Sequence, residues 1–295
     1  MANTAHKNRM TADGKMSFAP REIAPPPADL AGQINQRIDD ALVVDVERQK
    51  PRGYLGGSRV GLECLRQLAY EYDKSMRDAA AWVRTPRLYE DHRTPHTFPG
   101  RIIRRFRVGH WCEDEVAALL RLAGFTLHTE RASGVQFGWS TAPDPETGED
   151  RMKGHVDGIV RDGPFPLPYP LLWEHKVMKH SKWTETNRKG VRSVYPVYYS
   201  QMQTYMAYMD FTNTLFTAYN SDTSELLVEV IPFNQADAQW ATDRAVRVLQ
   251  AKTPEELPRV TSDPSFYLCK WCPFSDRCWK EPVAPAASIP HWLAQ

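Results

Sequence analysis

Apolar positions along the chain recur with two different periods, and the changes of period divide it into elements. Ile34, Ile38 and Leu42 fall at helical spacing and predict a helix over Asp29 to Arg48. A loop with Gly53, Gly56 and Gly57 follows, and Ser58 offers an N-cap for a second helix running through Cys64, Leu68 and Tyr72. The stretch RIIRRFRVGHWCEDEVAALLRLAGF predicts a third, with Cys112, Val116, Leu119, Leu120 and Ala123 on one apolar stripe and Gly124 as its stop. The period then falls to two. GHVDGIV and LLWEHKV read as the strands of a hairpin joined by the proline-rich connector RDGPFPLPYP. Beyond a basic segment come a helix near Val197 to Met209, strands near Thr214 to Tyr219 and Leu226 to Pro232, and a helix across Ala236 to Ala251. Residues 1–30 carry scattered charge and a proline triplet without periodicity, and read as a tail. The pattern predicts one mixed α/β domain over residues 31–282 and a short second tail over 283–295.

Composition narrows the class. A chain of 295 residues can bury a sizeable core without disulfides. Lys and Arg total 37 against 36 Asp and Glu, a net charge of +1 that argues against binding by bulk charge alone. Five cysteines, an odd and small number, do not make a secreted disulfide scaffold and point to a reducing compartment. No run of apolar residues is long enough to span a bilayer and the first twenty residues are polar, so the expectation is a soluble, cytoplasmic protein with no membrane partner.

The hairpin concentrates the candidate chemistry. Side chains alternate along a strand, so Leu172, Glu174 and Lys176 share a face. The preceding run puts Asp157 in the partner strand between Gly154 and Gly158, where a backbone or ligand can approach closely, and the hairpin can set Asp157 opposite Glu174. Two facing carboxylates repel unless a cation lies between them, and hard oxygen ligands suit magnesium or manganese. Lys176 beside such an ion can orient or deprotonate water and stabilise charge on a phosphate oxygen. Charged residues on a strand face are more often a solvated surface; here the apolar company of the E-x-K run argues for a central strand. On the third helix His110 and Glu113, three residues apart, can both point into a site beside the core.

In this order Asp157, Glu174 and Lys176 resemble the PD-(D/E)xK nuclease superfamily. The resemblance implies a restriction-endonuclease-like core, a mixed central sheet flanked by helices. Its RecB-like branch adds an upstream helix that opens with a Gly and carries a metal-binding His or Glu, matched by Gly109 to Glu113, and a downstream Q-x-x-x-Y helix, matched by Gln201 to Tyr205. Many members have a His four residues after the Gly. That position is Glu113 here, while His110 follows the Gly directly, so both remain candidates, with Glu113 favoured by register. The resemblance implies a divalent ion (Mg2+ or Mn2+) on Glu113, Asp157, Glu174 and the backbone carbonyl of His175, and catalytic roles for Asp157, Glu174, Lys176, Gln201 and Tyr205.

Cys269, Cys272 and Cys278 form a C-x2-C-x5-C loop able to wrap one metal centre, and Cys64 is the natural fourth ligand because Cys112 lies on the apolar stripe. Four thiolates suit tetrahedral zinc or an iron-sulfur cubane, and spacing alone does not decide between them, zinc being the commoner choice without further context. AddB-type nucleases and the CRISPR-associated exonucleases of RecB type have one Cys ahead of the core and three behind it. Resemblance to them implies a 4Fe-4S cluster joining the terminal segments (57–75 with 264–280), with zinc as the alternative.

Between positions 176 and 192, Lys176, Lys179, Lys182, Arg188, Lys189 and Arg192 face the single acid Glu185, a track suited to phosphates. Trp183, Tyr195, Tyr198 and Tyr199 are interleaved with it or follow it, as stacking on unpaired bases requires, and Arg101, Arg104, Arg105 and Arg107 form a second basic cluster. The expectation is a metal-dependent deoxyribonuclease, an exonuclease on single strands or duplex ends. It would act in recombination, repair or phage DNA processing in a bacterial or phage-infected cell, with recombination or replication proteins as partners. The rival expectations are a non-catalytic DNA-binding or assembly subunit that keeps the fold, and a zinc-stapled endonuclease of restriction type.

Overall fold

The computed structural model describes residues 29–47, 52–84 and 98–280, together with 9–10, 13–14 and 16–17. Two short strands, β1 (Arg9–Met10) and β2 (Met16–Ser17), pair antiparallel. They are followed by α1 (Leu30–Glu47), β3 (Leu55–Gly56), a 3-10 turn at Gly57–Arg59, α2 (Leu65–Arg84) and α3 (Gly100–Leu122). Five strands come next: β4 (Thr126–His128), β5 (Gly138–Pro143), β6 (Asp150–His155), β7 (Gly158–Asp162) and β8 (Leu171–Met178). A helical stretch of α4 (His180–Lys189), α5 (Val191–Val194) and α6 (Pro196–Met209) leads to β9 (Asn213–Asn220), β10 (Leu226–Pro232) and α7 (Gln235–Gln250). A 3-10 turn at Pro254–Glu256, then α8 (Tyr267–Lys270) and α9 (Ser275–Lys280), complete the described chain. The second tail read from the sequence, and most of the first, lie outside the described residues.

Two mixed sheets flanked by helices organise the molecule, consistent with a restriction-endonuclease-like core. The larger has the order β10-β9-β8-β7-β4, with β8 and β9 parallel and every other pair antiparallel. The smaller has the order β3-β6-β5. A parallel pair needs a crossover, and α4, α5 and α6 supply it. The strand at the centre, β8, is buried on both faces, which explains its run of apolar residues. Leu172 packs with Phe216, Met202, Tyr205 and Met206 on one side; Leu171, Trp173 and Leu215 pack on the other against Cys112, Val116, Ala117 and Leu120 of α3. Each such apolar side chain contributes roughly 1.5–3 kcal/mol on burial.

Several local expectations shift. The basic segment after β8 is helical, broken only at Gly190, whose φ of 79° separates α4 from α5. In α3 the stripe closes on Ala117, while Leu119 and Ala123 are exposed. Gly109 does not open that helix but sits inside it. Ser58 caps nothing: it belongs to the 3-10 turn, and α2 starts at Leu65, with Cys64 in the capping position, its carbonyl accepting from Leu68 N at 3.2 Å. On α1, Ile34 and Ile38 are half exposed. That helix is held on α3 by Arg104 with Asn35 and Asp39 and by Arg107 with Asp45. Among the described residues no helix is long and apolar enough to cross a membrane.

Candidate active site and cysteine site

The chain leaves the small sheet at His155 and enters the large one at Gly158, and Asp157 stands at that crossing rather than inside the partner strand. The register Gly158 to Trp173, carried back by one residue, sets Asp157 across from Glu174. Asp157 Oδ2 accepts the His175 backbone N–H at 2.7 Å, which continues the ladder with a side chain where the strand has ended. The glycines on either side are filled by protein. A Cβ on Gly154 would lie 2.6 Å from both Trp139 Nε1 and Tyr205 Cε1, and one on Gly158 would lie 2.8 Å from Leu127 Cδ1.

Glu174, Lys176 and Gln201 meet on the α6 side of β8. Lys176 Nζ donates to Glu174 Oε1 and, at 2.8 Å, to the His175 carbonyl, and it stands 3.9 Å from Asp157 Oδ2. Gln201 Nε2 donates to the same Glu174 Oε1 at 2.6 Å. Glu174 is 2 % exposed, and its Oε2 has no partner among the described residues. Tyr198 lies under the ammonium, its ring centroid 5.4 Å from Nζ, and stacks on Tyr195 at 4.8 Å. Tyr205 is buried against Trp139; burial, then Glu174 and Asp157, hold its hydroxyl pKa well above the ordinary value. The His175 side chain turns to the opposite face, where Nδ1 meets Thr217 Oγ1 at 2.9 Å; burial, then Lys176, bring its pKa down to about 3.

From α3, Glu113 joins this group. Burial, then the charge of Asp157, raise its pKa to about 8 against the opposing pull of Lys176. Burial and Asp157 likewise raise Glu174 to about 7, and burial raises Asp157. Burial pulls Lys176 down, but Glu174 and Asp157 outweigh it and the net shift is upward. His110 lies 3.8 Å from Glu113 Oε2 and its side chain is 81 % exposed, on the rim rather than in the site.

Two carboxylates, Asp157 and Glu174, therefore flank one ammonium, with Glu113 coupled to them electrostatically from α3, and burial shifts the pKa of all three upward. With the unpartnered Glu174 Oε2, this is a donor set of hard oxygens short of positive charge, which fits a divalent cation. As the side chains stand, no group of three or more His, Cys, Asp or Glu among the described residues is closed around a point that could hold an ion.

The basic track is partly neutralised within the protein. Lys182 and Lys189 both pair with Glu185, at 2.7 and 3.0 Å, Arg192 pairs with Asp237 at 3.1 Å, and Lys179 acts on Asp222. Trp183 and Tyr199 are buried, the one donating to the Ala218 carbonyl and the other to Asp237, so of the four interleaved aromatics Tyr195 and Tyr198 keep accessible faces. Sequence reading missed a different basic group. Lys153 and His155 lie on one face of β6, and Arg52 stands beside Gly56, the partner of Lys153 in β3. Burial, then Arg52 and Lys153, lower the His155 pKa, and Arg52 also acts on Tyr205. Only the pairing of β3 with β6 brings these residues together; the alternation K-G-H was the one local sign.

The four predicted cysteines line one cavity, together with Tyr70, Arg259 and Trp279 among others, and all are free thiols. Burial, then neighbouring cysteines, raise Cys269. Burial raises Cys272, with Cys64, Cys278 and Cys269 adding to it against a backbone hydrogen bond. Four soft donors lining one cavity have the chemistry of a thiolate site, though as the side chains stand they are not closed around an ion. Cys112 lies apart, buried on α3, where burial pushes its thiol up.

The sequence matches no protein-family profile and no curated protein. Among solved structures it is similar to SSO0001, with 15 % identity over 86 % of this chain and 99 % of that one, and a TM-score of 0.47. It is also similar to an alkaline exonuclease, LHK-Exo, from Laribacter hongkongensis, with 18 % identity over 70 % of this chain and 90 % of that one, and a TM-score of 0.41. The same exonuclease in complex with dAMP matches at 18 % identity over 72 % and 90 % of the two chains, with a TM-score of 0.38. Identities this low leave the site to be read from its own residues.

Proposed function

We propose that this chain is a metal-dependent DNA nuclease, an exonuclease on single strands or duplex ends. The observation that carries the reading is that Asp157 and Glu174 flank the Lys176 ammonium, with Glu174 Oε2 left without a partner among the described residues. Asp157, Glu174, Glu113 and the His175 carbonyl would hold magnesium or manganese. Such an ion supplies Lewis acidity toward phosphate oxygens and lowers the pKa of bound water. Lys176, kept an ammonium by Glu174 and Asp157, donates toward the attacking water and the charged phosphate oxygens. Gln201 fixes the Glu174 carboxylate in one orientation, and Tyr205 and Trp139 wall the site behind it. Arg52 and Lys153, with Lys179 and Arg188, are the basic groups best placed to meet the strand; Lys182, Lys189 and Arg192 reach it only by leaving their acidic partners.

Cys64, Cys269, Cys272 and Cys278 are assigned to a 4Fe-4S cluster, with zinc as the alternative, in a structural role. A reducing bacterial or phage-infected cytoplasm suits five free thiols, and recombination, repair or phage DNA processing is the setting proposed. The test is digestion of end-labelled single- and double-stranded oligonucleotides with magnesium or manganese. Activity is expected in the native chain, with D157A and K176A about 10^2- to 10^4-fold slower. Undiminished cleavage by either variant overturns the assignment, and binding without cleavage under every metal favours the non-catalytic subunit.

A further inference from the structure

Arginines tie the cysteine-bearing segment to α2, and α7 to the residues just ahead of it. Arg66, fully buried, donates to the carbonyls of Leu257 at 2.7 Å and Glu255 at 2.6 Å. Arg244 donates to the carbonyls of Leu62 and Glu63, and Arg277 reaches Asp73 and Glu255 across the ring of Tyr70. These contacts go to carbonyls, carboxylates and a ring. Arg259 touches sulfur. Its Nε donates to Cys278 Sγ at 3.4 Å, its Nη2 donates to the Cys278 carbonyl, and its guanidinium lies 4.4 Å from the Trp279 ring centroid. Both residues are nearly buried, at 7 % and 8 % exposure, and both line the cavity that Cys64, Cys269 and Cys272 also face.

We propose that Arg259 is the positioning and charge-balancing residue of the cysteine site. The inference rests on the four-cysteine metal centre proposed above and deepens it. Two donors of one rigid fork bind the sulfur and the carbonyl of a single cysteine, which fixes the direction from which Cys278 offers its thiolate. A loaded tetrathiolate centre is anionic, and in a low-dielectric pocket a cation at hydrogen-bond distance from one sulfur stabilises it far more than a solvated one can. The same charge favours adding an electron to an iron-sulfur centre, since hydrogen bonds to sulfur and net charge set its potential. Lysine cannot reproduce the contact, because an ammonium has no fork to span sulfur and carbonyl together.

The experiment uses the full-length protein purified anaerobically, native and as R259M, with R277M, whose guanidinium pairs with Asp73 and Glu255, as a control in the same segment. Metal and acid-labile sulfide are counted, release to an external chelator is timed, and the iron form is titrated with dithionite against redox dyes. R259M is expected to release its metal about 10-fold faster than the native protein and to have a lower midpoint potential, with the potential of R277M unchanged. Release and potential equal to native in R259M overturn the role of Arg259 while the metal reading stands. A native protein without bound metal overturns both. The chelator arm reads the same way whether the metal is iron or zinc, and if R259M does not accumulate in folded form, R259Q, which loses the charge but keeps a donor for the carbonyl, is measured in its place.

Discussion

At the scale of single residues, Glu174 commits one carboxylate oxygen to Lys176 and Gln201 and leaves the other, buried, without a protein partner among the described residues. Its pKa of about 7, and that of Glu113 at about 8, both lie above the ordinary 4.5. The folded chain therefore holds protons here that the unfolded chain releases. Their contribution to stability is complete below about pH 4.5 and is lost as pH rises through 7 and 8. A cation competes with those same protons, so its affinity rises over the same interval. The rise in Tm produced by manganese should be small at about pH 6 and large at about pH 8.5, and E113Q should flatten the upper part of that rise. Thermal melts at fixed manganese check this, and a shift independent of pH would refute it. The core of the group was legible in the sequence because period two and i,i+4 spacing set Glu174 with Lys176 and Gln201 with Tyr205. Arg52, Lys153 and His155 were not, because strand pairing across distant segments brings them together.

At the scale of elements, the glycines beside Asp157 are packing positions. G154A forces a methyl group between Trp139 and Tyr205 and should cost about 1–3 kcal/mol in urea unfolding. Gly109, inside α3 with no atom within 4 Å of where a methyl group would sit, gives the contrast: G109A should stabilise by about 0.5–1 kcal/mol in the same measurement. Equal effects of the two changes would show that the fit around Gly154 is not tight. Helices and strands with a broad apolar face were readable, as α3, α6, β9 and α7 illustrate. The helix α4 was not, since it buries only Trp183 and Thr186 and its charge pattern reads as a solvated run. The start of α2 was misplaced because Gly57 and Ser58 have the chemistry of a cap but form a separate tight turn.

At the scale of the whole molecule, the cysteine site joins segments that are far apart in sequence, Cys64 ahead of the core and Cys269 to Cys278 behind it. Closing so long a loop stabilises chiefly by limiting the unfolded chain. C64S, or chelation of the native protein, should lower Tm and open residues 252–280 to limited proteolysis before the sheets are cut. Unchanged protection of that segment would show that Arg66 and Arg277 hold it without the metal.

The crossing at Asp157 gives the candidate site a structural asymmetry. Glu174 and Lys176 ride on a strand clamped by neighbours on both sides, whereas Asp157 is joined to the small sheet through Val156 and to the large one through Gly158. It is a fulcrum. A tilt of the small sheet, whose central strand β6 carries Lys153 and His155, would reach Asp157 through two peptide bonds, while Glu174 is held between β7 and β9. Any such tilt would change the spacing of Asp157 and Glu174.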